Sequence, residues 1–167
     1  MVCLGTFFAP ESHAFDFIDV DRKKLSTADG HITIVVMART TEIDKARLVG
    51  DRVPERILGN SLHRFVTVMQ FEKSHGRAAR LVANVVARRR LDAEAKRLQS
   101  RYALNKVTRT PRQDVHAVLD FDGTFAAQLG LNTKPPTFQV LVLGKKGEVL
   151  QRWLGVPDAR ELAAALP

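Results

Sequence analysis

The sequence predicts an α/β sandwich in which helices flank a central mixed β-sheet. Apolar runs rich in β-branched residues, typical of strands covered on both faces, alternate with segments of helical periodicity. The last two strand segments are separated only by a glycine-containing turn, which favours an antiparallel hairpin. The 167 residues, 45% of them hydrophobic, suit a single domain spanning residues 1–167.

The predicted strands follow from their apolar content and from the turn residues beside them. Ile32–Ala38 is the clearest, because it is almost continuously apolar and lies between Gly30 and Thr40. The full set of expected strands is His13–Val20, Ile32–Ala38, Arg64–Phe71, Val115–Leu119, Phe138–Leu143 and Val149–Trp153. Asp21–Lys24 is expected to form the turn after the first strand, and a closing helix is expected from Pro157 or Asp158.

A helix is predicted directly after the strand Ile32–Ala38. Thr40 or Thr41 could cap it through the side-chain hydroxyl, and Glu42 and Asp44 would then lie in the first turn, where acidic residues are favourable. We expect this helix to end near Gly50 or to continue irregularly to Ile57 and Leu58.

Residues 77–104 show helical periodicity with a change of apolar face in the middle. One face carries Ala78, Leu81, Val82 and Val85, and a different face carries Leu91, Ala95, Leu98 and Tyr102. The change coincides with Arg88–Arg90. The sequence therefore predicts two helices here, the second capped by Asp92.

The formal charge of +8 is concentrated in residues 77–112, which carry eleven basic and two acidic side chains. We interpret residues 75–112 as a basic helical insertion. The candidate patch comprises Arg77, Arg80, Arg88, Arg89, Arg90, Lys96, Arg97 and Arg101. It fits a solvated helix face, contact with an acidic protein or an anionic membrane surface, or nucleic-acid binding. Nucleic acid is the least favoured, because Tyr102 is the only aromatic residue nearby.

Asp120-Phe121-Asp122-Gly123-Thr124 imitates the first motif of haloacid-dehalogenase-type phosphatases. In those enzymes one aspartate is the nucleophile and another the general acid. Only a short segment follows Thr124, too little for the rest of that fold. The favoured interpretation is a turn at Asp122-Gly123, with Thr124 capping a short helix that ends at Gly130.

The segment Pro135–Pro157 resembles the C-terminal half of a thioredoxin-like domain, in which a Pro-Thr pair leads into a strand, a turn, a return strand and a closing helix. Asp120–Leu131 resembles the peroxiredoxin-like element that precedes it. Ala9-Pro10 and the first two strands resemble the opening of peroxiredoxins and thiol–disulfide oxidoreductases. The resemblance spans about residues 9–166 and implies a thioredoxin-like three-layer sandwich.

The same resemblance implies a cleft at the position of the family's active site. Its residues would be Arg39, Thr40, Thr41, Glu42, Pro135, Pro136 and Thr137. Pro136 would be the cis-proline that faces this site. Arg39 at the start of the helix could also help to hold a carboxylate or phosphate, although ordinary helix capping is favoured.

The sequence departs from the family at the redox centre. The family places a cysteine between the first central strand and the next helix, but Ala38–Ile43 contains none. Disulfide exchange and peroxide reduction need a thiolate, which threonine cannot supply. The single cysteine, Cys3, lies near the N-terminus without an evident base. We therefore expect no dithiol or peroxidase activity.

The sequence thus favours a redox-inactive binding or interaction module over an enzyme, with no cofactor and no metal site. Its five histidines lack the spacing of metal ligands. The alternatives are a non-thiol or Cys3-dependent enzyme related to peroxiredoxins and a basic protein that binds an anionic membrane or nucleic acid. No apolar run is long enough to span a bilayer. The expected location is cytoplasmic by default, and a signal upstream of Met1 stays open.

Overall fold

The computed structural model describes residues 13–73, 75–131 and 136–167. The strands are β1 (Asp16–Ile18), β2 (Lys24–Ser26), β3 (Ile32–Arg39), β4 (His63–Gln70), β5 (Val115–Asp120), β6 (Gln139–Leu143) and β7 (Val149–Trp153). The helices are α1 (Ile43–Asp51), α2 (Arg77–Leu104), α3 (Thr124–Gln128) and α4 (Ala159–Ala164). Single-turn 3₁₀ helices lie at Thr40–Glu42, Glu55–Ile57 and Pro111–Gln113.

Strand β3 lies at the centre of a five-stranded mixed sheet with the order β5-β4-β3-β6-β7. It pairs in parallel with β4 and antiparallel with β6. Ile32 through Ala38 are all buried, because this strand has a neighbour on each edge and packed layers on both faces. This explains the continuous apolar run in the sequence.

The sheet is covered on both faces. The connections from β3 to β4 and from β4 to β5 step in the same direction, and right-handed crossovers therefore place α1 and α2 on one face. Leu162 of α4 packs on that face with Ile34 and Val36. The other face carries α3 and the β1–β2 hairpin, where Phe17 and Phe125 pack against the sheet. The predicted three-layer sandwich is confirmed.

The prediction of two helices in residues 77–104 is wrong, because α2 is one continuous helix of 28 residues. Its second half buries the apolar face that begins at Ala87 and ends at Tyr102. The apolar residues of its first half point to solvent, and Leu81 is 68% exposed. The change of face at Arg88–Arg90 thus marks where packing against the sheet begins. It does not interrupt the backbone.

Two predicted helix caps are also wrong. The N-cap residue of the Thr40–Glu42 turn is Arg39, and that of α1 is Glu42, so neither Thr40 nor Thr41 is a cap. Neither N-cap side chain makes a capping hydrogen bond. Thr124 is the first residue of α3, and the buried carboxylate of Asp120 accepts hydrogen bonds from the backbone N–H groups of Phe125 and Ala126. Asp120 can cap α3 because β5 ends directly beneath the helix N-terminus.

The predicted first strand is shorter than expected, and a second strand had no prediction. Asp16–Ile18 pairs with Lys24–Ser26 as a hairpin. The buried carboxylate of Asp19 accepts hydrogen bonds from the backbone N–H groups of Asp21 and Lys23, which shapes the connecting turn. The closing helix agrees with the prediction, because Asp158 caps α4 in a capping box with Glu161.

Candidate functional site

The junction between β3 and α1 forms one side of the predicted cleft. Arg39 ends β3, Thr40 and Thr41 are exposed in the 3₁₀ turn, and Glu42 is buried. These residues lie at the carboxyl end of the central strand, where the resemblance places the family's redox centre. The described residues of this junction contain no thiol, and Cys3 lies outside the described residues.

Glu42 is held by the basic side chains on either side of it. Its Oε2 accepts hydrogen bonds from Nε of Arg39 at 3.1 Å and from the Arg39 backbone N–H at 3.3 Å, and its Oε1 accepts from Nζ of Lys45 at 3.0 Å. Hydrogen bonding from Arg39 and then from Lys45 lowers the pKa of the Glu42 carboxyl to about 2. Glu42 is therefore ionised at neutral pH and is unsuited to act there as a general base.

The other side of the cleft is the segment before β6. Met37 pairs with Gln139 in the antiparallel register, and continuing that register brings Thr137 opposite Arg39. Lys45 Nζ lies 5.5 Å from the centroid of the Phe138 ring, so the start of α1 is close to this segment. Thr137 is exposed, and its Oγ1 accepts a hydrogen bond of 2.9 Å from Nε2 of Gln139.

Two of the predicted site features lie outside the described residues. Pro135 is not described, so the cis peptide predicted between it and Pro136 also lies outside the description. Pro136 itself is half-buried beside Thr137.

The predicted basic patch is divided by its ion pairs. Arg88 pairs with Asp21, Arg97 with Asp51 and Glu94, and Arg101 with Glu55. Arg80 lies over the Phe121 ring at 4.9 Å. Arg80 also donates a hydrogen bond to the backbone carbonyl of His75 but has no ion pair with a described residue. The patch residues with neither an ion pair nor a ring contact among the described residues are Arg77, Arg89, Arg90 and Lys96. Their charge is available to a partner.

A cavity of about 460 Å³ between α1, α2 and the sheet was not predicted from the sequence. Thr40 and Thr41 line it at the β3–α1 junction, and Arg90 lines it from α2. Phe65 and Thr67 on β4 form part of its floor. The signal in the sequence is weak, because a threonine such as Thr67 within an apolar strand also occurs in ordinary half-buried strands.

Histidine and aspartate side chains form a second polar cluster at the edge of the sheet. His116 Nδ1 lies 2.9 Å from Oδ2 of Asp19, and both side chains are buried. Burial lowers the pKa of His116, although Asp19 opposes this effect. Arg112 bridges Asp21 and Asp92, so its guanidinium is already committed. No group of metal-ligand side chains occurs within the described ranges.

Comparison with known proteins identifies the fold. No protein-family model matches the chain, and no curated protein matches it. Among solved structures, StoA from Bacillus subtilis is 16% identical with a TM-score of 0.52, covering 95% of this chain and 98% of that one. A DsbF homologue from Corynebacterium diphtheriae is 17% identical with a TM-score of 0.53, covering 95% of this chain and 85% of that one.

A third similar structure is a putative thiol:disulfide interchange protein DsbE from Chlorobium tepidum. It is 10% identical with a TM-score of 0.55, covering 95% of this chain and 97% of that one. The sheet order, the helix layers and these matches agree over nearly the whole chain, while the β3–α1 junction of this chain carries threonines and no cysteine. The chain therefore has the thioredoxin-like fold, without a redox cysteine where that fold's thiol–disulfide oxidoreductases carry theirs.

Proposed function

We propose that this chain is a redox-inactive thioredoxin-like protein that acts as a binding module. Its contact surface would be formed by Arg39–Glu42 and the segment Pro135–Thr137. The observation that supports this proposal most directly is the β3–α1 junction, where exposed Thr40 and Thr41 stand in place of a thiol. A threonine hydroxyl is not acidic enough to replace a thiolate in disulfide exchange.

The charge distribution at the junction supports binding over catalysis. The negative charge of Glu42 is balanced by Arg39 and Lys45, and the pKa of its carboxyl is lowered to about 2. Glu42 is therefore too weak a base to activate the neighbouring hydroxyls. Thr40 and Thr41 are exposed and can donate or accept hydrogen bonds, and Thr137, also exposed, accepts one from Gln139. A protein or peptide partner is the proposed ligand of this surface.

The first test measures thiol chemistry directly. Reduction of insulin disulfides and consumption of hydrogen peroxide are compared for the wild-type protein and Cys3→Ser. Both proteins should show only background turnover. Turnover by the wild type that Cys3→Ser abolishes would support the Cys3-dependent enzyme, and turnover that survives would support a non-thiol enzyme in the cleft. Either result would overturn the proposal.

The second test measures binding at the cleft. The wild-type protein is screened on a peptide array, and bound peptides are titrated against Thr40→Trp and Thr137→Trp, which fill the two sides of the surface. Thr108→Trp is the matched control, since Thr108 is exposed in the loop after α2. Binding should be lost in the cleft variants and kept in the control. Equal binding by all of them would contradict the proposed surface.

A second candidate function is contact with an anionic membrane surface through the first half of α2. Four aliphatic side chains, Leu81, Val82, Val85 and Val86, are between 40% and 68% exposed there. Arg77 and Arg89 flank them without ion pairs to described residues, and this combination suits an interface with anionic lipid. No helix in the described part of the chain is long and apolar enough to cross a membrane.

Vesicle flotation tests this second candidate. Binding to vesicles with phosphatidylglycerol, and not to phosphatidylcholine alone, should be lost in the double variant Leu81→Ser, Val85→Ser and in the double variant Arg77→Glu, Arg89→Glu. Leu154→Ser is the control, because Leu154 is even more exposed, in the loop after β7. Binding that survives both double variants would exclude this surface.

A further inference from the structure

We propose that the cavity between α1 and α2 binds an amphipathic monocarboxylate, a molecule with an apolar body and one carboxylate, and that Arg90 pairs with the carboxylate. The proposal does not depend on the protein or peptide partner of the cleft. It follows from the floor, the walls and the mouth of the cavity.

The floor of the cavity is a part of the sheet that the helices leave uncovered. On the α3 side of β4, Val66 and Val68 are completely buried. On the α1 and α2 side of the same strand, Phe65 and Thr67 are only half-buried. A strand with neighbours on both edges normally buries both faces beneath helices. The unequal burial shows that α1 and α2 leave accessible apolar surface over β4.

The walls of the cavity are α1 and α2, and long arginine side chains bridge them through ion pairs. Arg47 of α1 pairs with Glu94 of α2 at 3.4 Å, and Arg97 of α2 pairs with Asp51 of α1 at 2.6 Å. Arg101 of α2 pairs with Glu55 at 2.6 Å and also donates to the backbone carbonyls of Gly50 and Val53. Extended arginine side chains thus link the helices above the sheet.

The interior of the cavity is suited to an apolar body. Ile34, Ile43, Phe65, Met69, Leu91 and Leu98 contribute apolar side chains to its lining. The Tyr102 hydroxyl donates to Asp114, and Arg64 donates to Thr33 and Asp29, so these two polar lining groups already have partners. His63 also lines the cavity, and its buried ring nitrogens make no hydrogen bond of ordinary geometry with a described residue. The volume of about 460 Å³ lies within the range of about 300–1,000 Å³ that is usual for small-molecule sites.

The mouth of the cavity carries one uncommitted charge. Asp44, Arg47 and Glu94 line it but pair with one another. Arg90 also lines it, is exposed, and has no ion pair with any described residue. A guanidinium group binds a carboxylate through two parallel hydrogen bonds. Arg90 therefore favours a ligand with a negative end at the mouth and an apolar body inside.

Titration with dodecanoate below its micellar concentration tests the proposal, with binding followed by calorimetry and by the shift in unfolding temperature. Dodecanol provides the same apolar body without the carboxylate. Thr67→Phe fills the cavity from its floor, and Ala93→Trp blocks its exposed mouth without altering the core. Arg90→Gln removes the charge. Arg89→Gln is the matched control, since Arg89 is also exposed and unpaired among the described residues but does not line the cavity.

Dodecanoate should bind the wild type and Arg89→Gln equally, and Arg90→Gln should weaken that binding about tenfold. Thr67→Phe and Ala93→Trp should abolish it, and dodecanol should bind the wild type and Arg90→Gln alike. Absence of saturable dodecanoate binding to the wild type overturns the proposal, as does binding retained by both Thr67→Phe and Ala93→Trp. An equal loss in Arg89→Gln and Arg90→Gln overturns the assignment of the carboxylate to Arg90. Thr40 and Thr41 line both the cavity and the cleft, but the dodecanoate test uses neither of them as a variant, so its result is distinct from those of the turnover and peptide tests.

Discussion

The hydroxyl of Tyr102 on α2 donates a hydrogen bond of 2.8 Å to Oδ2 of Asp114, and both residues are buried. Arg109 donates to Oδ1 of the same carboxylate at 2.8 Å. The end of the long helix is thereby anchored to the residue that precedes β5. Burial followed by the hydrogen bond to Asp114 raises the pKa of Tyr102, so the phenol stays protonated at neutral pH.

We expect Tyr102→Phe to lower the free energy of unfolding by about 1.5–3 kcal/mol, because a buried carboxylate loses one of its donors. Urea denaturation at neutral pH measures the loss. Ser100→Ala on the exposed side of α2 is the control and should change stability by less than about 0.5 kcal/mol. A neutral effect of Tyr102→Phe would show that Arg109 alone satisfies Asp114.

The continuous helix α2 predicts an unequal response to truncation of its leucines. Leu91→Ala should destabilise the protein by about 2–5 kcal/mol, since Leu91 is buried against the sheet. Leu81→Ala should change stability little, because Leu81 is exposed. Chemical denaturation of the two variants makes the comparison. Equal losses would mean that the first half of α2 is also packed in solution.

Acid conditions should weaken the β3–α1 junction. The folded-state pKa of Glu42 is about 2, below its ordinary value of 4.5, so its contribution to stability is present above about pH 4.5 and is lost as the pH falls towards 2. Glu42→Gln should lose about 1–2 kcal/mol at pH 7 and show a shallower decline in acid. Urea midpoints measured between pH 7 and pH 3 provide the test. Parallel curves for the two proteins would contradict the assignment.

His63 should give a separate pH dependence at milder acidity. Its ring nitrogens are buried and make no hydrogen bond of ordinary geometry with a described residue. Burial lowers the pKa of His63 from 6.5, although the nearby Pro167 backbone opposes this effect. The unfolded chain therefore binds a proton more readily than the folded protein, and stability should fall as the pH drops below about 6.5. His63→Leu and His63→Gln should both reduce this slope.

The two His63 variants separate titration from polarity. His63→Leu should also match or exceed the wild-type stability at pH 7, because it removes an unpaired buried polar group. His63→Gln keeps a polar group in the same place and should not show that gain. An unchanged slope in both variants would assign the pH dependence to another group, and His116 would be the first to examine.

The sequence predicted the sheet well because its strands are defined by local patterns. Ile32–Ala38 differs from the observed strand only by the addition of Arg39, and Val115–Leu119 differs only by the addition of Asp120. Strand β2 had no prediction, because its three residues are stabilised by pairing with β1 and lack a pattern of their own. Local periodicity indicates burial only when a partner element covers the face.

The errors in the candidate site and in α2 have the same origin. The apolar face around Leu81 looks like a buried face in the sequence, but no described element covers it. Thr40 has the side chain of a good helix cap, but the N-cap position is occupied by Arg39. The backbone N–H and the guanidinium of Arg39 both donate hydrogen bonds to the carboxylate of Glu42. The cavity depends on the separation of α1 and α2, which Arg47–Glu94 and similar long-range pairs set. Such distances between elements are not encoded in local spacing.

The antiparallel pairing of β3 with β6 has a kinetic consequence for folding. Thr33 is paired with Leu143, so the central strand acquires its second neighbour only after the chain has closed a loop of more than a hundred residues. The pairing of β3 with β4 closes a much shorter loop of about thirty residues. Because folding slows as contacts become more distant in sequence, β6 and β7 should join last. Until then the β6 edge of β3 is open, and that edge is where the nascent chain is most prone to pair with another molecule.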